Sequence, residues 1–238
     1  MRKIFLVLVV AFLTSTSRAQ NDIVVDANAS ERTVSGSFNA IKVSGGIDLY
    51  LSQSDKSAIA VSAANENYKD GIKTVVENGT LEIFYEAEKN WSKKNRKLRA
   101  YVSFTDLQKI VASGACDVIV VGNITVTTIV LQMSGACDFT GIVKVNTLKI
   151  NLSGASDVKI SGNANTVDII SSGASDVKGY GLVTDICNAN VSGASDVNIT
   201  VNQILNAHAS GASNINFKGT GLIKEMSSSG ASDISRKD

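Results

Sequence analysis

A six-residue phrase recurs seven times between Ser113 and the C-terminus: SGACDV, SGACDF, SGASDV three times, SGASNI and SGASDI. Its glycines are Gly114, Gly135, Gly154, Gly173, Gly193, Gly211 and Gly230, so successive copies lie 21, 19, 19, 20, 18 and 19 residues apart. A period near 19 with strand-forming residues between the copies predicts a solenoid, in which each repeat is one coil that cannot bury its apolar face alone.

Alternation within a repeat predicts how the coil is built, because successive strand side chains point to opposite faces. From Leu148 to Ile160, one parity reads Leu148, Ile150, Leu152, Gly154, Ser156, Val158 and Ile160; the other reads Lys149, Asn151, Ser153, Ala155, Asp157 and Lys159. The first set is expected inside and the second outside, which is a half-buried strand pattern rather than a helical one. On this parity the glycine and the serine of the phrase both face the interior. Cys116 and Cys137 replace that serine in the first two copies. The exchange points to a cramped inward site beside a bend, with the cysteines as small buried residues. A Cys116–Cys137 disulfide is within reach of stacked strands about 4.8 Å apart, but such neighbours rarely present the required dihedral.

Composition agrees with this architecture. Proline is absent, as suits strands whose N–H groups are committed to ladders. The leucine-rich repeat pattern is missing, and the short, β-branched segments between phrases do not suit a helix. Calcium-binding nonapeptide solenoids require their motif about every nine residues, whereas this phrase comes once in about 19.

Arg2 and Lys3 precede an apolar run from Ile4 to Leu13 and a polar stretch ending Ser17-Arg18-Ala19-Gln20, which reads as a secretory signal peptide over residues 1–20. The run is too short for a stable bilayer anchor, and no cysteine at the cleavage region offers a lipid attachment point. Removal of residues 1–20 leaves 20 Lys and Arg against 22 Asp and Glu, a net charge of −2, which gives no global attraction for nucleic acid. No transmembrane segment is expected in the mature chain. The expected location is extracytoplasmic: periplasm, outer-membrane surface or secreted.

Residues 21–110 are less regular and are expected to form capping coils and a hairpin of the same domain, followed by regular β-helix repeats over residues 111–238. Phe38 to Leu51 alternates well, contains a degenerate phrase, SGGID, and is expected to form the opening coil. Strands at Ile72–Glu77 and Thr80–Tyr85 flank Asn78-Gly79, a strong hairpin signal, and Leu98–Phe104 forms a further strand. This region would cover the N-terminal end of the solenoid, since an open edge invites aggregation.

The F-x-A-I-x-V-x-G-x-I-x-L opening at Phe38 to Leu49, the Asn78-Gly79-Thr80-Leu81-Glu82-Ile83 hairpin and the serial S-G-A-[SC]-D-V phrases together resemble the bacterial family described as putative auto-transporter adhesin, head GIN domain. The resemblance runs from about residue 30 to 235. It implies an all-β, right-handed parallel β-helix of the kind exported by Bacteroidetes-type bacteria, and a surface adhesin with no established biochemical activity. The chain departs from a true autotransporter: it stops at Asp238 with no terminal set of amphipathic strands to form a membrane barrel.

The outward parity places Asp117, Asp138, Asp157, Asp176 and Asp196 in one row, with Asn214 interrupting and Asp233 at the end. Unit charges about 5 Å apart repel by about 0.8 kcal/mol per pair even at water's dielectric, and Lys159 and Lys178, two residues on, would offset part of this. Three roles for the row stand open: hydrogen bonds to backbone N–H groups at the bend, Ca²⁺ bridging successive carboxylates, or a binding stripe for a glycan or an envelope or host protein. A second candidate is the polar stretch from Asn65 to Arg99, with Tyr68, Lys69, Asp70 and a basic cluster of Lys89, Lys93, Lys94, Arg96, Lys97 and Arg99 around Trp91. Trp91, Lys93, Lys94 and Arg96 could grip a sugar ring or an anionic polymer, although such a charge run is more often a solvated loop.

Catalysis requires a non-repeating constellation in one cleft, and the uniform phrases supply none. The single histidine, His208, is outward, and no H-E-x-x-H, G-x-S-x-G, P-loop or cysteine-pair metal signature is present. Repeated carboxylates could mimic a glycosidase pair, but the same pair would recur along the row. The expectation is therefore a secreted, non-catalytic β-solenoid scaffold at the cell envelope, without a cofactor unless Ca²⁺ binds. The alternatives are a polysaccharide-degrading β-helix enzyme and a purely structural, calcium-stabilised envelope protein that stacks through its terminal coils.

Overall fold

The β-branched runs between the phrases form strands that pair in parallel with the strand one period away. In a computed structural model that describes residue 23 and residues 25–86 and 96–238, the strands are β1 (Ser30–Glu31), β2 (Ala40–Ser44), β3 (Ile47–Gln53), β4 (Ala58–Ser62), β5 (Ile72–Glu77), β6 (Thr80–Tyr85), β7 (Leu98–Phe104), β8 (Lys109–Gly114), β9 (Asp117–Val120), β10 (Ile124–Gly135), β11 (Asp138–Leu152), β12 (Asp157–Ser171), β13 (Asp176–Val191), β14 (Asp196–Gly211), β15 (Asn214–Lys218), β16 (Leu222–Gly230) and β17 (Asp233–Arg236). Together they make a parallel β-solenoid of about 7 turns with about 19 residues per turn. The expected signal peptide, residues 1–20, lies outside the described residues.

Stacking keeps equivalent residues level, and this builds the core. Phe139, Val158, Val177, Val197 and Ile215 form one interior column, each paired with the next, and all are buried. Leu148, Val167, Cys187 and Leu205 form another. A fully buried aliphatic side chain contributes about 1.5–3 kcal/mol, but only when a neighbouring coil covers it. The fold is therefore held by the stack rather than by any one repeat.

The phrase itself makes a corner, and here the parity fails at one position. Gly154, expected inside, is exposed, as are Gly173 and Gly193. At the bend three consecutive residues, Ser153, Gly154 and Ala155, face outward before alternation resumes at the buried Ser156. Gly154 has φ +80, and a Cβ there would lie 2.5 Å from the carbonyl oxygen of Gly135, the oxygen that accepts the Ala155 N–H at 2.7 Å. Glycine is thus required by a left-handed backbone and by close contact between coils, not by interior packing.

The N-terminal region is threaded differently from its chain order. β2 pairs with both β6 and β8, and β3 with both β7 and β9, all in parallel. The expected opening coil, β2–β3, is therefore the second rung, with the later β6–β7 rung outside it. Asn78 (φ 49) and Gly79 (φ 73) turn β5 back antiparallel onto β6; β4 runs antiparallel to β7, and β1 to β4. The reversed strands terminate the parallel ladder at this end. A one-turn helix, α1 (Glu66–Asp70), interrupts the stretch read as a polar loop: the Asn65 side chain caps it by accepting the Tyr68 N–H. Lys69 is buried there, its ammonium held by Glu66 and by the Asn28 carbonyl.

Candidate functional site

Parallel stacking in register turns each outward position into a column, so the surface consists of ladders. Asp117, Asp138, Asp157, Asp176 and Asp196 are level with one another, followed by Asn214 and Asp233, as the parity predicted. The row is longer than the phrases indicated. Asp48, in the degenerate SGGID, stands level with Asp117 through the Leu49–Val118 pairing, and Arg99 stands level with Asp48. Partial burial, and then the Asp117 charge, hold the Asp48 carboxyl above the ordinary carboxylate range, with the Arg99 charge opposing.

The row is stitched from coil to coil. Lys178 Nζ lies 2.6 Å from Asp157 Oδ2, one coil back, and this hydrogen bond is the first cause of the raised Lys178 pKa. Asn214 donates to Asp196 Oδ1 at 2.8 Å, and Asp176 Oδ1 accepts the backbone N–H of Asp196 at 3.3 Å. These bonds reach into an adjacent coil rather than to the bend of the residue's own phrase. Among the described residues no group of three or more His, Cys, Asp or Glu side chains is placed to hold a metal ion; a single column offers few oxygens beside the six to eight that Ca²⁺ takes.

Beside the row an open cleft of about 440 Å³ is lined by Val120, Ile142 and Ile160, with Thr140, Ser161 and the stems of Lys159 and Lys178 at its edge. Its cause is local: Gly122, Gly141 and Gly181 contribute no side chains, and the β12–β13 register shifts between Lys159 and Ser161. Ile142 stays 45% exposed as a result. Periodicity alone gave no sign of this cleft, because it arises where the period is broken.

Of the other sequence candidates, Trp91, Lys93 and Lys94 lie outside the described residues. Arg96 is described, with its guanidinium 4.6 Å from the centre of the Tyr85 ring. His208 is exposed, with Nε2 3.9 Å from Glu225 Oε2. Cys116, Cys137 and Cys187 are buried free thiols. A hydrogen bond from Cys137 lowers the Cys116 thiol, and the same contact, with burial, raises that of Cys137. Among the described residues no helix is long and apolar enough to cross a membrane.

Known structures share this architecture. The chain is similar to a putative adhesin from Bacteroides fragilis NCTC 9343 at 21% identity and TM-score 0.81, covering 88% of this chain and 96% of that one. It is similar to a putative lipid binding protein from Parabacteroides distasonis ATCC 8503 at 19% identity and TM-score 0.70, covering 88% and 96%. A putative adhesin from Parabacteroides merdae ATCC 43184 aligns at 20% identity and TM-score 0.68, covering 90% and 98%. No curated protein matches in sequence. The family model described as putative auto-transporter adhesin, head GIN domain, matches residues 37–221, which hold six of the seven phrases, and the chain belongs to that family.

Proposed function

We propose that this protein is a non-catalytic, adhesin-like binding scaffold of the cell envelope, exported by its N-terminal segment, whose outward ladders contact a glycan or an envelope or host protein. One observation carries the reading: from Asp117 to Asp233 equivalent outward residues are level in successive coils, so the surface repeats its chemistry at the strand spacing of about 4.8 Å. A repeated face suits a repeated partner, whereas catalysis needs one unrepeated constellation. The family's adhesin description and the adhesin descriptions of the structural neighbours support the same role. A glycan and matrix-protein array, run with and without calcium alongside a polysaccharide turnover panel, tests it. Retention on a defined class without turnover is expected; turnover, or no retention on any surface, overturns it.

A second reading has its own observation. The cleft beside the Asp row pairs an apolar lining, Val120, Ile142 and Ile160, with Lys159 and Lys178 at its edge, the Lys178 ammonium being held by Asp157, and apolar walls beside a cationic edge suit an amphiphile with an acidic head. A neighbour of similar fold is described as a putative lipid binding protein. Binding of a fatty acid that is lost in Ile142→Asp, with the array empty, would favour this reading over the first.

A further inference from the structure

On the flank formed by β10, β11 and β12, two outward rows run side by side along the solenoid axis. One is Thr125, Lys144 and Asn163; the other is Thr127, Asn146 and Asn165. Between them lie Val126, Val145 and Ala164, which pair with one another from coil to coil. The rows enclose an open groove of about 440 Å³.

On other parts of the surface several outward amides are tied from coil to coil: Asn188 to Asp168 at 2.8 Å, Asn206 to Asn188 at 2.7 Å, Asn214 to Asp196 at 2.8 Å and Asn216 to Asn198 at 3.2 Å. In this groove three untied amides are gathered beside an ammonium. Asn146 and Asn165 stand level on successive coils, where the same tie would form, yet among the described residues the side chains of Asn146, Asn163 and Asn165 make no hydrogen bond and Lys144 makes no ion pair. Three exposed amides, each with two donor hydrogens and an acceptor, and one exposed ammonium therefore face a common groove without intramolecular partners.

The groove also has ends. At one, Gln53 covers the Thr125 backbone, accepting its N–H at 2.7 Å and donating to its carbonyl at 3.0 Å. At the other, the next coil substitutes Val183, level with Asn163 and 43% exposed, and Asp185 beyond Asn165. The polar length is three coils.

We infer that this groove is a binding site for a short acidic oligosaccharide lying along the solenoid axis. Hydroxyl-rich chains match a paired array of amides and hydroxyls, because each sugar offers both donors and acceptors to the two rows. The rise of one coil, about 4.8 Å, is close to the advance of one sugar unit along an extended chain. Lys144, in the middle rung, selects a carboxylate there. Asp185 repels one at the far end, where Val183 offers an apolar contact instead. The site rests on the adhesin reading above and makes it specific in ligand class and place.

The test uses the full mature chain on an array of acidic oligosaccharides, neutral oligosaccharides and envelope and matrix proteins, followed by titration with trigalacturonate and with its neutral counterpart. Retention of acidic oligosaccharides is expected, with affinity lowered at least tenfold in the Asn146→Ala/Asn165→Ala double variant. Lys144→Met should abolish the preference for acidic over neutral chains. Both variants lie on the surface and should melt as the parent does; Asn163→Ala provides an independent change should either fail to fold. Asp157→Asn/Asp176→Asn is expected to leave the binding unchanged. Acidic glycan binding lost only in that Asp-row variant overturns the groove while leaving the adhesin reading in place, as does retention of proteins alone. An array with no retention at all removes both.

Discussion

The Ser175 hydroxyl oxygen accepts the backbone N–H of Ser156, one coil back, at 3.3 Å, while its own proton reaches the Ser172 carbonyl at 3.2 Å. The same bond recurs one coil further on, from the Ser175 N–H to Ser195 at 3.3 Å. The buried serine of the phrase is therefore more than a small residue: it closes its own turn and satisfies a donor that the corner leaves open in the coil beneath. Ser175→Ala would leave the Ser156 N–H buried without a partner, at about 1–3 kcal/mol. A urea denaturation midpoint unchanged by this substitution would contradict the account.

The two cysteine positions should separate on the same ground. Cys137 occupies the serine site, and its thiol reaches the Ser134 carbonyl at 3.3 Å as the serines do in their coils. Cys137→Ser is expected to be neutral within about 1 kcal/mol, a hydroxyl there having a carbonyl acceptor in reach. Cys187 instead sits in the apolar column between Val167 and Leu205, where burial pushes its thiol up to about 12. Cys187→Ser places a hydroxyl among hydrocarbon, at about 1–3 kcal/mol. Thermal melting of the two variants checks the order, and the reverse order would refute it.

Gly173→Ala and Gly46→Ala separate the two demands on the corner glycine. Both positions have positive φ, +87 and +73, so both variants incur a left-handed alanine at about 1–2 kcal/mol. At Gly46 the nearest atom to the new Cβ is 3.8 Å away, whereas at Gly173 it is the Gly154 carbonyl oxygen at 2.4 Å. Gly173→Ala must also push coils apart and should be the more destabilised of the two. Equal losses in denaturation would mean that stacking does not constrain the glycine.

Much of the solenoid was legible in the sequence because its side chains obey two simple rules, a period near 19 and strict alternation. Val158, Ile160 and Ser156 were placed inside, and Asp157 and Lys159 outside, by those rules alone. Gly154 escaped them, since the corner turns Ser153, Gly154 and Ala155 all outward and so skips one inward position. The exchange of rungs at the N-terminus escaped as well, because parallel strands match by shape and register over long distances and β6 carries no local mark of lying beyond β2. Asp48 could have been added to the Asp row from the SGGID motif; Arg99 could not, having no phrase around it. The Thr125 to Asn165 groove required knowing which outward amides were already bonded.

Two aspartates flank Arg99 and should titrate in opposite senses. Asp26 is held below its ordinary value of 3.8, first by the Ser62 hydroxyl and also by hydrogen bonding and charge from Arg99, whose Nη1 lies 2.9 Å from Asp26 Oδ2. Its contribution to stability is therefore complete above the unfolded value and is lost as pH falls through the folded one. Asp48 is held above 3.8 by burial and the Asp117 charge. Its contribution is present below the unfolded value and is lost as pH rises through the folded one, so at neutral pH the ionised Asp48 opposes folding. Asp26→Asn should lower the melting temperature at pH 7 and flatten its fall in acid. Asp48→Asn should raise the melting temperature at pH 7, with the gain shrinking as pH drops through the carboxylate range. Melting curves of the parent and both variants from pH 3 to pH 7 decide the matter: a gain for Asp48→Asn that grows in acid would reverse the sign assigned to its environment.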